Sequence, residues 1–281
     1  MQLKKLLYQS SEIYYRVTGN GKPVVLVHGF GEDGEIWKEQ AEFLKTKYRL
    51  IIPDLPGSGR SGLIPDMSIE GMAEVIKAIS EIELPGQPPQ GEEGAFFGHS
   101  MGGYITLALA EKYPDTLGAF GLVHSSAFPD SEEKKQARIK SIEFMKKNGG
   151  HKFLKTSIPG LFRGQSTVNS PHSAVGSREK MDALIEKSKQ FTTEALVQYY
   201  QAMYNRPCRT AVLKNFKGPI LFIMGVHDIA APFRECLQQC YLPNQSHVHI
   251  LRDCAHMGML EDPERVNRAL ANFLDERGGN F

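Results

Sequence analysis

Short apolar runs separated by helical patterns restrict the fold of this chain more than any other feature. Residues 24–27 (Val24-Val25-Leu26-Val27), 48–52, 95–97, 119–123, 220–224 and 247–251 read as strands. The first of these is apolar without interruption, as expected for a strand buried on both faces. Between the runs, residues 36–45, 68–82, 101–112, 233–240 and 263–276 carry helical spacing. In the second helix Ile69, Met72, Val75, Ile76 and Ile79 make one stripe, and Ser68 is placed to cap it. Residues 3–8 and 12–17 open the chain as an antiparallel hairpin, broken at Gly19-Asn20-Gly21. Strands alternating with helices imply an α/β fold with a parallel sheet flanked on both faces. From 128 to 207 helical patterns continue with no clear buried strand. The expected organisation is a core of residues 1–127 and 208–281, with 128–207 inserted as a helical cap over the C-terminal ends of the strands. Residues 84–94 hold three prolines and three glycines and read as a loop. Residues 277–281 read as a frayed tail.

Composition excludes several function classes. The chain has 281 residues, 41% hydrophobic and 23% charged, with net charge +1. That balance supplies no broad basic field for nucleic acid or for an anionic membrane. Lys134-Lys135 and Lys146-Lys147 read as solvated helix faces. The first residues lack an apolar signal-like core and a small-residue cleavage site, so they are expected to belong to the mature protein. No run approaches the ~18 apolar residues of a membrane span. The four cysteines, Cys208, Cys236, Cys240 and Cys254, fit no zinc template. They are expected to be reduced, in a cytoplasmic protein with no metal and no cofactor.

Chemistry concentrates at Gly98-His99-Ser100-Met101-Gly102-Gly103, a G-x-S-x-G sequence between a strand and an Ala/Leu-rich helix. A serine in so tight a turn exposes its hydroxyl beside the amides that start the helix, and glycines let strand and helix crowd together. A serine hydroxyl needs a base, and that base needs an orienting acid. His256 follows the last predicted strand. Asp228 follows the strand before it, giving the order Ser…Asp…His expected for such an elbow. Asp253 is too near His256 in the loop to turn back on its ring, and the strand at 119–123 leads into His124-Ser125-Ser126, which offers no acid. A helix cap is the competing role for Asp228. Oxyanion donors are expected from the Met101 amide and from the loop His28-Gly29-Phe30-Gly31, where Phe30 is the candidate. His28 is expected to bond locally and His99 to point elsewhere.

These pieces resemble the α/β-hydrolase fold, close to its lidded esterases and C–C hydrolases. The resemblance rests on His28–Gly31, Asp54-Leu55-Pro56-Gly57-Ser58-Gly59-Arg60-Ser61, Gly98–Gly103, Gly225–Asp228 with Pro232, and His256 with Glu261 and Pro263. It implies an eight-stranded, mostly parallel sheet with a cap after the sixth strand. Asp54–Ser61 is scaffold in that family. Family dehalogenases and epoxide hydrolases place aspartate where this chain has Ser100, so an acyl-enzyme and an acyl substrate are implied.

The expected activity is a serine carboxylesterase acting on a small-molecule ester, as a monomer or homodimer. The alternatives are a C–C hydrolase or aminopeptidase of the same fold, and a slow or non-catalytic receptor. Phe30, Met101, Phe128, Met257 and Met259 are candidates for an apolar pocket wall. Residues 159–164 and 169–176 read as loops over it. Arg163 is either a surface arginine or a partner for a substrate carboxylate. Trp37 reads as packing.

Overall fold

The computed structural model describes residues 1–84, 93–164 and 174–276. Its frame is one eight-stranded sheet: β1 (Gln2–Tyr8), β2 (Ser11–Thr18), β3 (Lys22–Val27), β4 (Tyr48–Pro53), β5 (Gly94–His99), β6 (Leu117–Val123), β7 (Ile220–Gly225) and β8 (Ser246–Leu251). The spatial order is β1-β2-β4-β3-β5-β6-β7-β8. β2 pairs antiparallel with both β1 and β4, and β3 through β8 all run parallel to one another. Parallel strands must be covered on both faces, and Val24, Leu26, Phe96, Phe97, Phe120 and Ile223 are accordingly fully buried. Each side chain of that kind contributes ~1.5–3 kcal/mol through burial.

Helices return the chain between the parallel strands, namely α1 (Lys38–Leu44), α2 (Ile69–Glu83), α3 (Met101–Lys112), α8 (Thr210–Asn215) and α9 (Phe233–Gln239), and α10 (Gly258–Glu261) and α11 (Pro263–Glu276) follow the last strand. The Ser68 hydroxyl caps α2 by accepting from the Gly71 amide. The helix expected at 36–45 begins differently. Asp33 caps a 3-10 turn, Gly34–Trp37, and the α-helix starts only at Lys38. Trp37 is fully buried in the core.

Between β6 and β7 the chain leaves the sheet and forms α4 (Glu132–Asn148), α5 (Gly150–Ser157), α6 (Ala174–Lys187) and α7 (Thr193–Asn205). Within the expected loop at 159–164, a 3-10 turn occupies Ile158–Leu161. Of the loop expected at 169–176, residues 174–176 are the first turn of α6, and 169–173 lie outside the described residues. So do 85–92 of the expected loop at 84–94, and the expected tail at 277–281.

The inserted helices are fastened to the sheet layer by polar contacts. Buried Tyr199 of α7 donates to the Pro56 carbonyl and shares a hydrogen bond with Ser58 Oγ at 2.8 Å. Lys187 of α6 reaches Asp33 at 2.7 Å. The His256 amide donates to the Leu161 carbonyl at 2.9 Å. Among the described residues no helix is long and apolar enough to cross a membrane.

Candidate active site

The turn between β5 and α3 carries the strain its sequence implies. Ser100 has φ 50° and ψ −115°, a left-handed backbone that a non-glycine residue adopts only when its surroundings enforce it. Two glycines permit it. A Cβ at Gly98 would collide with the Gly102 carbonyl, and a Cβ at Gly102 would collide with the Val27 and His28 carbonyls at the end of β3. The Ser100 amide donates to the Val123 carbonyl at 3.0 Å, and Ser125 Oγ donates to the Ser100 carbonyl at 2.7 Å. Thus β3, β5 and β6 all hold the serine at the strand ends.

The loops after β7 and β8 are joined by backbone. The Val226 amide donates to the Leu251 carbonyl and the His227 amide to the Cys254 carbonyl, each at 3.0 Å. These bonds bring Asp228 beside His256, with 2.8 Å between Asp228 Oδ2 and His256 Nδ1. Asp228 is also a cap, since its Oδ1 accepts from the Ala230 and Ala231 amides at 2.9 and 2.8 Å. The two roles use different oxygens and do not compete. Asp253, the sequence rival, is exposed and pairs with Arg163 instead.

Both members of the Asp228–His256 pair are buried, and the pair sets their charge. Burial would raise the Asp228 carboxyl, but the His256 charge and hydrogen bonds from His124 and His256 outweigh it and hold the group below the usual carboxylate range. Burial would lower His256, but the Asp228 charge and hydrogen bond raise it above the ordinary imidazole value. With Nδ1 committed to Asp228, Nε2 is the nitrogen left to exchange a proton.

Ser100 and His256 line one cavity of about 110 Å³, partly open to solvent. Phe30 and Met257 also line it, as does Tyr104 of α3. Its other side comes from α4–α7 and includes Leu154, Ile158, Leu184, Tyr200 and Met203. The aromatic wall is continuous, since the Phe30 ring meets Tyr200 edge-on at 4.6 Å between centroids and Phe153 at 6.4 Å. Met101 opens α3 directly after Ser100, but its side chain is fully buried and outside the lining.

Two further expectations about the wall are corrected. Phe128 does not line this cavity. It sits half-buried in a shallow crevice with Leu107, Arg206 and Arg209, because the chain turns outward toward α4 there. Met259, a residue of α10, is fully buried in the core. Of the two readings of Arg163, the geometry agrees with the surface one, since it stays outside the cavity, bonded to Asp253.

Several contributors escaped the sequence reading. Arg138 of α4 lines the cavity, pairs with buried Asp130 and stacks over Tyr200 at 5.1 Å. Burial would lower its guanidinium, but Asp130 more than compensates and it stays charged. His99 does point away from the cavity, yet it meets the His256 ring at 4.9 Å. Its Nε2 lies 3.0 Å from the His256 carbonyl and its Nδ1 3.0 Å from Glu32. Glu32 in turn accepts from the Gly29 amide at 2.8 Å and so holds the loop bearing Phe30. His28 bonds locally, from Nδ1 to the Gly29 carbonyl at 2.8 Å, while Nε2 accepts from the Leu55 amide at 2.9 Å. The long-range contacts among these, His28–Leu55, Glu32–His99 and His99–His256, span 27, 67 and 157 positions, and no local pattern announces them.

Among the described residues, His124, Asp228 and His256 form the one group with metal-ligand spacing, their ligand atoms within 4.8 Å of one another. Both imidazole Nδ1 atoms are turned to Asp228 Oδ2, so the group is already satisfied internally as a hydrogen-bonded cluster.

This geometry agrees with what the chain is similar to. The alpha/beta hydrolase fold model matches residues 22–263. A thermophilic esterase from Thermogutta terrifontis, solved with malate bound, is 30% identical and superposes with a TM-score of 0.86, covering 99% of this chain and 100% of that one. Lipase 1 of Psychrobacter immobilis is 28% identical over 289 residues, covering 100% of this chain and 83% of the lipase. The (E)-2-((N-methylformamido)methylene)succinate hydrolase of Acinetobacter baylyi is 24% identical over 269 residues, covering 93% of this chain and 94% of that enzyme. The chain belongs to the alpha/beta hydrolase fold family.

Proposed function

We propose that this hydrolase cleaves small carboxylic esters through an acyl-enzyme on Ser100, with residues 128–207 acting as a cap over the site. The observation that carries the reading is the Asp228–His256 bond of 2.8 Å beside an elbow serine that shares a cavity with the imidazole. Ser100 Oγ attacks the ester carbonyl carbon while His256 Nε2 takes its proton. The carbonyl oxygen becomes an oxyanion and accepts hydrogen bonds from the Phe30 and Met101 amides, each worth on the order of 3 kcal/mol in the transition state. The second amide opens α3, where the helix dipole favours negative charge. Collapse expels the alcohol, which leaves with the proton from His256. Water then attacks the acyl-enzyme with His256 again as base, and the carboxylic acid and free Ser100 are regenerated. Asp228 holds the ring in one tautomer throughout.

The wall of Phe30, Leu154, Ile158, Leu184, Met203 and Met257 suits an apolar acyl chain. One observation favours a second reading, a C–C bond hydrolase acting on an acidic substrate: Arg138 places a guanidinium in the same wall. Asp130 is shared between Arg138 and Arg206, so it offsets only part of that charge, but most of the wall is apolar and the ester reading is preferred. The test is hydrolysis of nitrophenyl esters of increasing acyl length, beside a diketone substrate, with Ser100→Ala as control. Ester turnover that disappears in folded Ser100→Ala is expected. Turnover retained by that variant removes the nucleophile, and cleavage of the diketone alone transfers the assignment to C–C hydrolysis.

A further inference from the structure

Asp228 is held by two histidines. Its Oδ2 meets His256 Nδ1 at 2.8 Å and His124 Nδ1 at 3.2 Å, while Oδ1 takes two backbone amides. All four acceptor positions of the carboxylate are therefore filled. His124 is fully buried directly after β6, with φ 49°, a left-handed backbone anchored by its amide donating to the Ile223 carbonyl at 2.8 Å. Its Nε2 has no partner, and a Cβ at Gly258 would collide with it. A carboxylate only accepts, so the His124 proton sits on Nδ1 and points at Asp228.

We propose that His124 is a positioning residue of the reaction, holding the Asp228 carboxylate in line with His256 and limiting how strongly that carboxylate draws a proton onto His256. This rests on the Ser100–Asp228–His256 reading above. The neighbouring ionisable groups are Asp228 itself, His256 with ring centroids 5.9 Å away, and His99 at 6.0 Å. From α9, Cys236 faces Asp228, and Glu32 and Glu261 act on His256. Burial, opposed in part by Asp228, brings His124 down to about 4, so it acts as a fixed neutral dipole across the working range. The positive end of that dipole lies beside the pair and opposes the imidazolium.

Removing the dipole raises the basicity of His256. In His124→Leu the acidic limb of the kcat/KM profile is expected to move up by about 0.5–1 pH unit, with kcat/KM at the optimum falling by roughly tenfold. In His124→Asn the side-chain amide can occupy the Nδ1 position, and both effects are expected to be largely reversed. Because His124→Leu can fail to fold, wild-type imidazole nitrogen spectra from pH 5 to 9 give a second readout, expected to show His124 as a constant Nδ1–H tautomer. An Nε2–H tautomer, a limb unmoved in folded His124→Leu, or no recovery in His124→Asn overturns the proposal. If Ser100→Ala instead hydrolyses ester as fast as wild type, the reading of the site fails and this inference with it.

Discussion

Asp228→Asn separates a structural cap from an orienting acid, because the two Asp228 oxygens face different partners. Oδ1 accepts from the Ala230 and Ala231 amides, which requires the asparagine oxygen to stay on that side. Turning it away would leave two backbone donors facing an NH2 group, at about 1–3 kcal/mol for each unsatisfied donor. The new NH2 therefore faces the Nδ1 atoms of His256 and His124, and each ring must move its proton to Nε2. For His256 that is the wrong tautomer, since Nε2 can then no longer accept from Ser100. The expected loss is up to ~10⁴ in kcat, equivalent to about 5.5 kcal/mol of transition-state stabilisation. For His124 the shifted proton sits on a buried nitrogen with no partner, so the variant is also expected to lose about 1–3 kcal/mol of stability. The assay is steady-state hydrolysis of nitrophenyl butyrate at pH 7.5, with denaturant unfolding of the same sample. A fall of less than tenfold in folded enzyme, or a larger fall in Asp253→Asn, would refute the reasoning.

Two further expectations follow from burial. His28 and His124 are buried with lowered affinity for protons, His124 down to about 4. Below pH ~6.5 the unfolded chain binds protons there that the native state refuses, so stability falls with pH at up to 1.4 kcal/mol per unit for each group. His256, raised, works in the opposite direction, contributing below its unfolded value and losing that contribution as pH rises through the native one. Unfolding free energies from pH 7 to 4.5 should therefore decline and should decline less in His124→Asn; a flat profile contradicts the burial account. Cys208 is exposed, whereas Cys236, Cys240 and Cys254 are buried. Burial pushes the Cys240 and Cys254 thiols up to about 11 and about 12, and Cys236 upward as well. A thiol reagent should modify one cysteine rapidly in the native protein and the other three only on unfolding; four fast thiols would contradict this.

The sheet was legible because each buried parallel strand leaves a local mark. Val24–Val27 is continuously apolar, and α3 spans Met101–Lys112 as read because its Gly-x-Ser-x-Gly start and Ala/Leu content agree on one structure. Strand ends were less legible: β6 begins at Leu117 rather than 119 because pairing with β5 extends the strand past its apolar run. Ser100, Asp228 and His256 could be nominated from their places at strand ends. Glu32, His99 and His124 could not, since partners 67 and 104 positions apart leave no periodic signal. Arg138 was hidden on α4, where eight other charged residues make the helix read as solvated. Phe128 was misassigned because apolar character says a side chain is covered, not which cavity it faces.

The central claim is that Ser100 is an activated nucleophile, and labelling tests it without knowledge of the natural substrate. Wild-type protein, Ser100→Ala and His256→Ala are treated with an alkyl organophosphonate at neutral pH and examined by intact and peptide mass spectrometry. One adduct per chain, mapped to Ser100, absent from Ser100→Ala and strongly slowed in His256→Ala, is the predicted result. An unmodified Ser100 in the folded wild type, or equal labelling in Ser100→Ala, would contradict the account.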